Sequence, residues 1–223
     1  MHRHFEEVEE ELKERVLTMG QLVEEMIRNA VQGLAERQPS PLEEVALGEE
    51  KVNDLHIDVD DRCLKLIALH QPTAEDLRFI IAALKINSDL ERIGDQAVNI
   101  AETAARLLAV PQLERRLLDL PHMAEMAQSM LKDSLDAFVK KDVVLARSVL
   151  ERDDAEDQLK SESLHELMGI MQSDATTIER ALSLVLIARN LERIADHATN
   201  IAEDVIFMVH GKDIRHHAED KKR

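Results

Sequence analysis

Residues 190–204 read "NLERIADHATNIAED", and residues 89–103 read "DLERIGDQAVNIAET", the same pattern 101 positions earlier. In both stretches the apolar residues fall three and four apart: Leu90, Ile93, Ala97 and Ile100 in the first, Leu191, Ile194, Ala198 and Ile201 in the second. That is the period of an α-helix with one core-facing stripe. The polar residues keep a period of their own. Glu91, Asp95 and Asn99 stand nearly above one another, joined one turn on by Glu102, and Glu192, Asp196, Asn200 and Glu203 repeat the column. A carboxylate column bordering a core stripe, written twice, predicts a fold made of two copies of one helical unit.

The rest of the chain extends that reading. Apolar residues recur at the helical spacing almost throughout, and only six Gly and five Pro interrupt them. Pro39, Pro41, Pro72, Pro111 and Pro121 act as breakers, which predicts helices at about 3–37, 42–70, 73–109, 113–141, 142–172 and 174–210. Thr73 with Asp76 three residues later forms a capping-box variant, "QPSPLEEV" places proline and acids in a first turn, and Gly211 suits a left-handed C-cap. Sliding the chain by 103 sets "LGEEKVND" (47–54) over "LERDDAED" (150–157). The expected fold is therefore all-α: two tandem, pseudo-symmetric three-helix bundles over residues 1–110 and 111–212, six long helices in all. A polar tail follows at 213–223. A single long six-helix bundle is the architectural alternative.

Composition narrows the function. A chain of 223 residues with 44% hydrophobic and 33% charged residues can close a real core, and with no Trp, no Tyr and four Phe that core must be aliphatic. Its formal charge of −17 repels phosphate backbones and anionic lipid headgroups, so nucleic acid and direct membrane binding are disfavoured. No apolar run approaches the roughly 18 residues of a membrane span. The acidic start "HFEEVEEELKE" and the single Cys63 fit a reducing cytoplasm.

A second acid pair precedes each column: Glu50 and Asp54 in the first half, Asp153 and Asp157 in the second. If helices two and three run antiparallel about Pro72, Asp54 and Glu91 lie at similar depth, and four carboxylates from two helices converge. Such a group repels itself unless it is protonated or neutralised, and oxygen-rich sites suit hard cations such as magnesium, manganese, calcium or iron. His197 would add a nitrogen donor, although it points about 100° from Asp196. A solvated acidic face is the plain alternative. With 45 acids in the chain, roughly nine pairs at spacing four arise by chance, so it is the placement of four such pairs in two repeats that points to metal.

Other features carry less. Arg92 and Arg193 read as ion-pair partners, Cys63 as a buried inert thiol, Met19, Met26, Met123, Met126 and Met130 as core filler, and His216 and His217 as part of a frayed tail. A di-iron site of the ferritin kind needs two Glu-x-x-His pairs, and only Glu162 with His165 occurs. Nothing nominates a nucleophile or a matched general base.

The blocks "QPTAEDLRFIIAALKINSDLERIGDQAVNIAE" and "NLERIADHATNIAEDVIFMVHGKDIRH" resemble the two signature blocks of the PhoU family, the accessory and regulatory proteins of bacterial phosphate-specific transport, over essentially residues 3–217. The resemblance implies two three-helix bundles and acidic motifs holding iron, zinc or other metal ions, which match Glu50, Asp54, Glu91, Asp95, Asp153, Asp157, Glu192 and Asp196. It implies a non-enzymatic, cytoplasmic regulator at the inner membrane face, often dimeric. Such a protein links the ATPase subunit of the phosphate ABC transporter to a phosphate sensor histidine kinase and restrains uptake and the starvation response. The second half departs from the first where "PTAEDLR" becomes "SDATTIE" and Asp89 becomes Asn190, so no role of Asp76 or Arg78 carries over to it. The alternatives are a metal-dependent all-α phosphohydrolase, which needs a basic or polar phosphate pocket beside its metals, and a purely structural helical adaptor.

Overall fold

The structure, a computed structural model, describes residues 2–111, 113 and 120–214, so His216, His217 and most of the expected tail lie outside the described residues. Among these residues the chain is helical with no strand. The elements are α1 (His2–Glu36), α2 (Pro39–His70), α3 (Ala74–Leu108), α4 (Leu120–Lys140), α5 (Val143–Leu150), α6 (Asp153–Ser173) and α7 (Ile178–His210), with one 3₁₀ turn (Ala175–Thr177) before α7. Six are long, and α1–α3 and α4–α7 each close a three-helix bundle.

The local signals act as expected at most ends. Pro39 sits in the first turn of α2. The Thr73 backbone N–H donates to the Asp76 carboxylate at 3.3 Å, completing a capping box at the start of α3. Gly211 ends α7 at φ 66°, and its N–H donates to the Phe207 carbonyl at 2.8 Å.

The segment expected as one helix over 142–172 is two. Asp142 caps α5, accepting from the Val144 and Leu145 N–H groups at 2.9 and 3.1 Å. The chain then turns at Glu151–Arg152, where the Arg152 guanidinium leaves for Asp133 on α4 at 2.6 Å. Asp153, Asp154 and Glu156 follow in the first turn of α6. There the helix dipole stabilises carboxylates that would repel one another in mid-helix. Replacing Asp142 by alanine should cost about 1 kcal/mol in urea denaturation, the ordinary loss for an N-cap.

Packing also corrects the repeat register. The buried positions of α5 and α6 are Ala146, Val149, Glu156, Ser163 and Leu167, and each lies 104 beyond a buried position of α2, namely Leu42, Val45, Val52, Val59 and Cys63. The turns agree. Arg37 and Lys141 both take the left-handed conformation, at φ 54° and 53°, and the Gln38 and Asp142 N–H groups reach back to the Gly33 and Ala137 carbonyls. The offset is thus 104 through the first two helices of each half, not 103, and it is 101 in the third. Glu50 and Asp54 correspond to Asp154 and Gln158, while Asp153 and Asp157 correspond to Glu49 and Asn53.

The two halves meet along α3 and α7, the most extensive helix pairing in the molecule, with α1 against α4 beside it. One continuous aliphatic core runs through both, and it includes Met19, Met26, Met123 and Met130. Polar pairs mark the seam. Lys85 bonds the buried Asp204 at 2.8 Å, and Arg78 donates to the Met208 carbonyl at 3.1 Å. Within the first half, Arg37 donates to the carbonyls of Leu107, Leu108 and Val110 at the C-terminal end of α3. Cys63 is fully buried, and burial lifts its thiol to about 12, which makes it inert at neutral pH.

Candidate functional site

The two acidic clusters are built differently. In the first half Glu50, Asp54, Asp95, Asn99 and Glu102 are exposed and Glu91 is half-buried. The α2 residue that faces α3 at this depth is Val52, whose Cγ1 lies 3.4 Å from where a Cβ on Gly94 would stand. Gly48 is required opposite Met26, because an added Cβ would come within 2.6 Å of the Met26 side chain. The centre of this site is therefore apolar, and its carboxylates lie around it.

In the second half the position of Val52 is taken by Glu156. Its side chain is 1% exposed, and neither carboxylate oxygen has a hydrogen-bond partner. Burial first, then the charges of Glu192, Asp153 and Asp157, push its pKa up to about 8. Asp196, exposed at the rim, is raised to about 6 by lost solvation and by Glu192, Asp153 and Asp157, and Asp153 is raised by burial and then Asp157. The charges of Asp153 and Asp157 on α6 and of Glu192 on α7 thus act on Glu156 and on Asp196. The internal counter-charge is Lys160, whose Nζ lies 2.6 Å from both Asp157 and Glu192; these bonds hold its pKa above the usual lysine range.

Neither Glu156 nor Lys160 is apparent from the motifs. Glu156 stands inside "DDAED" and is hidden by the 103 register, which sets Val52 over the exposed Ala155. A slide by 104 sets it on a buried valine, and an acid at a core position is the signal.

The remaining candidates lie apart from this cluster. His197 is buried at the seam, with Nδ1 2.8 Å from Asp89 of α3, and Asn200 approaches the same carboxylate at 3.4 Å. Glu203 is half-buried, and Arg92 and Arg193 are exposed without an ion pair among the described residues. Glu162 and His165 are exposed, the His165 ring bonding the Ser161 carbonyl at 2.8 Å. Among the described residues no three Asp, Glu, His or Cys side chains stand close enough to share one ion as oriented. The second cluster holds a buried carboxylate with no hydrogen-bond donor, four further carboxylates and Lys160.

Comparison with known proteins adds the family. A sequence model described as the PhoU domain matches residues 16–104 and 120–205, one copy in each half. The chain belongs to the PhoU family. It is 41% identical to a phosphate-specific transport system accessory protein PhoU homolog of Aquifex aeolicus, over 97% of this chain and 98% of that one, and 39% identical to a homolog of the same description from Pseudomonas putida, over 93% and 81%. The crystal structure of PhoU from Pseudomonas aeruginosa superposes with a TM-score of 0.90 at 36% identity, covering 93% of this chain and 100% of that one. The crystal structure of the phosphate transport system regulatory protein PhoU from Streptococcus pneumoniae gives 0.85 at 30% identity, over 94% and 98%. The PhoU matches span both halves and the seam between them.

Proposed function

We propose that this protein is a non-enzymatic regulator of phosphate transport that binds a metal ion in its second half. It acts in the cytoplasm on the ATPase subunit of a phosphate transporter and on a sensor histidine kinase, holding down uptake and the starvation response when phosphate is plentiful. The observation that carries the regulatory reading is family membership over nearly the whole chain, with relatives named as accessory proteins of phosphate-specific transport. A rigid helical body with a formal charge of −17 suits docking to basic protein surfaces. No helix among the described residues is long and apolar enough to cross a membrane, so contact with the membrane runs through partners. Deleting the gene should raise expression of phosphate-starvation genes in phosphate-rich medium, and unchanged expression would refute the assignment.

The metal reading rests on Glu156. An ion held by Glu156, Asp153, Asp157, Glu192 and Asp196 would be bound through oxygen alone, a donor set that favours manganese, iron, magnesium or calcium over zinc. Its positive charge would neutralise the carboxylates now compensated by Lys160. The first half offers Glu50, Asp54, Glu91 and Asp95 around an apolar centre, and weaker binding is expected there. Elemental analysis of protein purified without chelators should find metal, and manganese or ferrous iron at 100 times Kd should stabilise the fold by roughly 2.7 kcal/mol. Protein that stays metal-free and gains no stability from these ions or zinc would end the reading. Turnover of nucleotide triphosphates or pyrophosphate with magnesium, lost on Asp196→Ala, would instead identify a phosphohydrolase.

A further inference from the structure

The two halves differ in how the second helix is tied to the third. In the first, Asn87 of α3 is fully buried, and its Nδ2 donates to the His56 carbonyl and to the Asp60 carboxylate, both on α2 and both at 2.9 Å. These bonds staple α2 to α3. By the packing register the second-half counterparts of Asn87, Asp60 and His56 are Ala188, Leu164 and Lys160. The staple is absent there, and a cavity of about 250 Å³ opens between α6 and α7, lined by Leu164, Val185 and Ala188 together with Lys160, Ser161, Arg189 and Glu192.

Apolar side chains are also exposed elsewhere on these two helices. Met168 on α6 is 45% exposed, and Leu182 and Leu186 on α7 are 51% and 43% exposed. On α7 the sequence positions 182, 186, 189 and 193 follow the helical period, so Arg189 and Arg193 prolong the face that carries the leucines. Both arginines are exposed and form no ion pair among the described residues. In a chain with 45 acids and 28 Lys and Arg, this rim carries the Lys160–Glu192 ion pair together with Arg189, and Arg193 stands one turn beyond Arg189 on α7.

We propose that the α6–α7 groove is a docking site for an amphipathic helix of a protein partner, whose aliphatic residues enter between Leu164, Val185 and Ala188 and whose acidic residues meet Arg189 and Arg193. Spaced aliphatic anchors in a hydrophobic groove with charge pairs at the rim are the physics of helix-in-groove recognition. A second copy of this chain is a poorer occupant, because a two-fold contact on this face would bring the two arginine pairs together. The proposal rests on the adaptor reading above and gives it a surface.

The test uses the full chain and two fluorescein-labelled synthetic helices with leucine at i, i+4 and i+7, one flanked by glutamates and the other by lysines. The glutamate peptide should bind at least about tenfold more tightly than the lysine peptide, by fluorescence anisotropy at low salt. Leu164→Asp with Ala188→Asn transplants the first-half staple and should weaken that binding at least about tenfold. Arg189→Glu changes an exposed position that the core does not use, and it should remove or reverse the preference for the acidic peptide. Equal binding of both peptides, or binding unchanged in both variants, overturns the proposal. Self-association of the wild type that both variants abolish assigns the face to a second copy and overturns it as well. Co-purification with the transporter ATPase is measured in parallel: if it survives while the peptide result fails, the adaptor reading stands and this groove is not its surface.

Discussion

Metal-free protein carrying Glu156→Val should melt at a higher temperature than the wild type at pH 8, with the difference shrinking as the pH falls to 5. In the wild type, burial and the charges of Glu192, Asp153 and Asp157 raise the Glu156 pKa from its ordinary 4.5 to about 8. The folded protein therefore keeps a proton that the unfolded chain gives up above pH 4.5. Stability linked to this group is fully present below that pH and is lost as pH rises through 8. The displacement corresponds to at most about 5 kcal/mol. Asp196, raised from 3.8 to about 6, adds loss of the same sign over a lower range. Valine restores the residue that the first half uses at this position, so at pH 8 a gain of about 3–5 kcal/mol, or on the order of 10 °C, is expected. Thermal melts in chelator at pH 5, 6.5 and 8 read the effect. A destabilised variant, or a wild type whose stability rises from pH 5 to 8 at the same rate as the variant's, would contradict it. The same substitution should remove most of the stabilisation gained from added manganese or iron.

That result turns on a residue the motif did not display, and the reason is physical. The helical period, the breaks at Pro39 and Pro72, the Thr73–Asp76 capping box and Gly211 are local signals, and the structure follows them at each of those places. The register of the second helix is not local. Matching Glu50 and Asp54 to Asp153 and Asp157 maximises likeness of charge, yet it would set the buried Val52 over Ala155 and the buried Cys63 over Glu166, both exposed. Surface acids tolerate displacement by one position, and core residues do not, so packing decides the alignment. The break at Glu151–Arg152 is equally quiet in sequence, because Arg152 finds its partner Asp133 on α4, 19 residues away.

The seam between the halves was beyond reach for the same reason. Lys85 and Asp204 are 119 residues apart, and His197 and Asp89 are 108 apart. His197, read beside Asp196 as a candidate ligand, faces the opposite half. Nothing in the spacing of either residue announces these pairs, which arise only when α3 docks on α7.

The strongest test of that docking is Phe138→Ala. Two of the four phenylalanines, Phe79 on α3 and Phe138 on α4, stack with ring centroids 5.4 Å apart and planes 10° from parallel, at 2% and 0% exposure. Lys13 of α1 and Lys141, just past α4, lie 5.6 and 5.9 Å from the Phe79 centroid, and both reach Glu9, at 3.1 and 3.4 Å. Three helices from two halves thus meet at one aromatic pair. Truncating Phe138 should cost about 3–5 kcal/mol, Phe138→Leu less than about 1.5, and a double-mutant cycle with Phe79→Ala should show a coupling near 1 kcal/mol. Because the core is continuous, the loss should move one cooperative transition in urea, and amides in α3 should exchange faster although the change lies in α4. Two bundles that fold independently would behave otherwise: the second half would melt early, and protection in α3 would stay as it was.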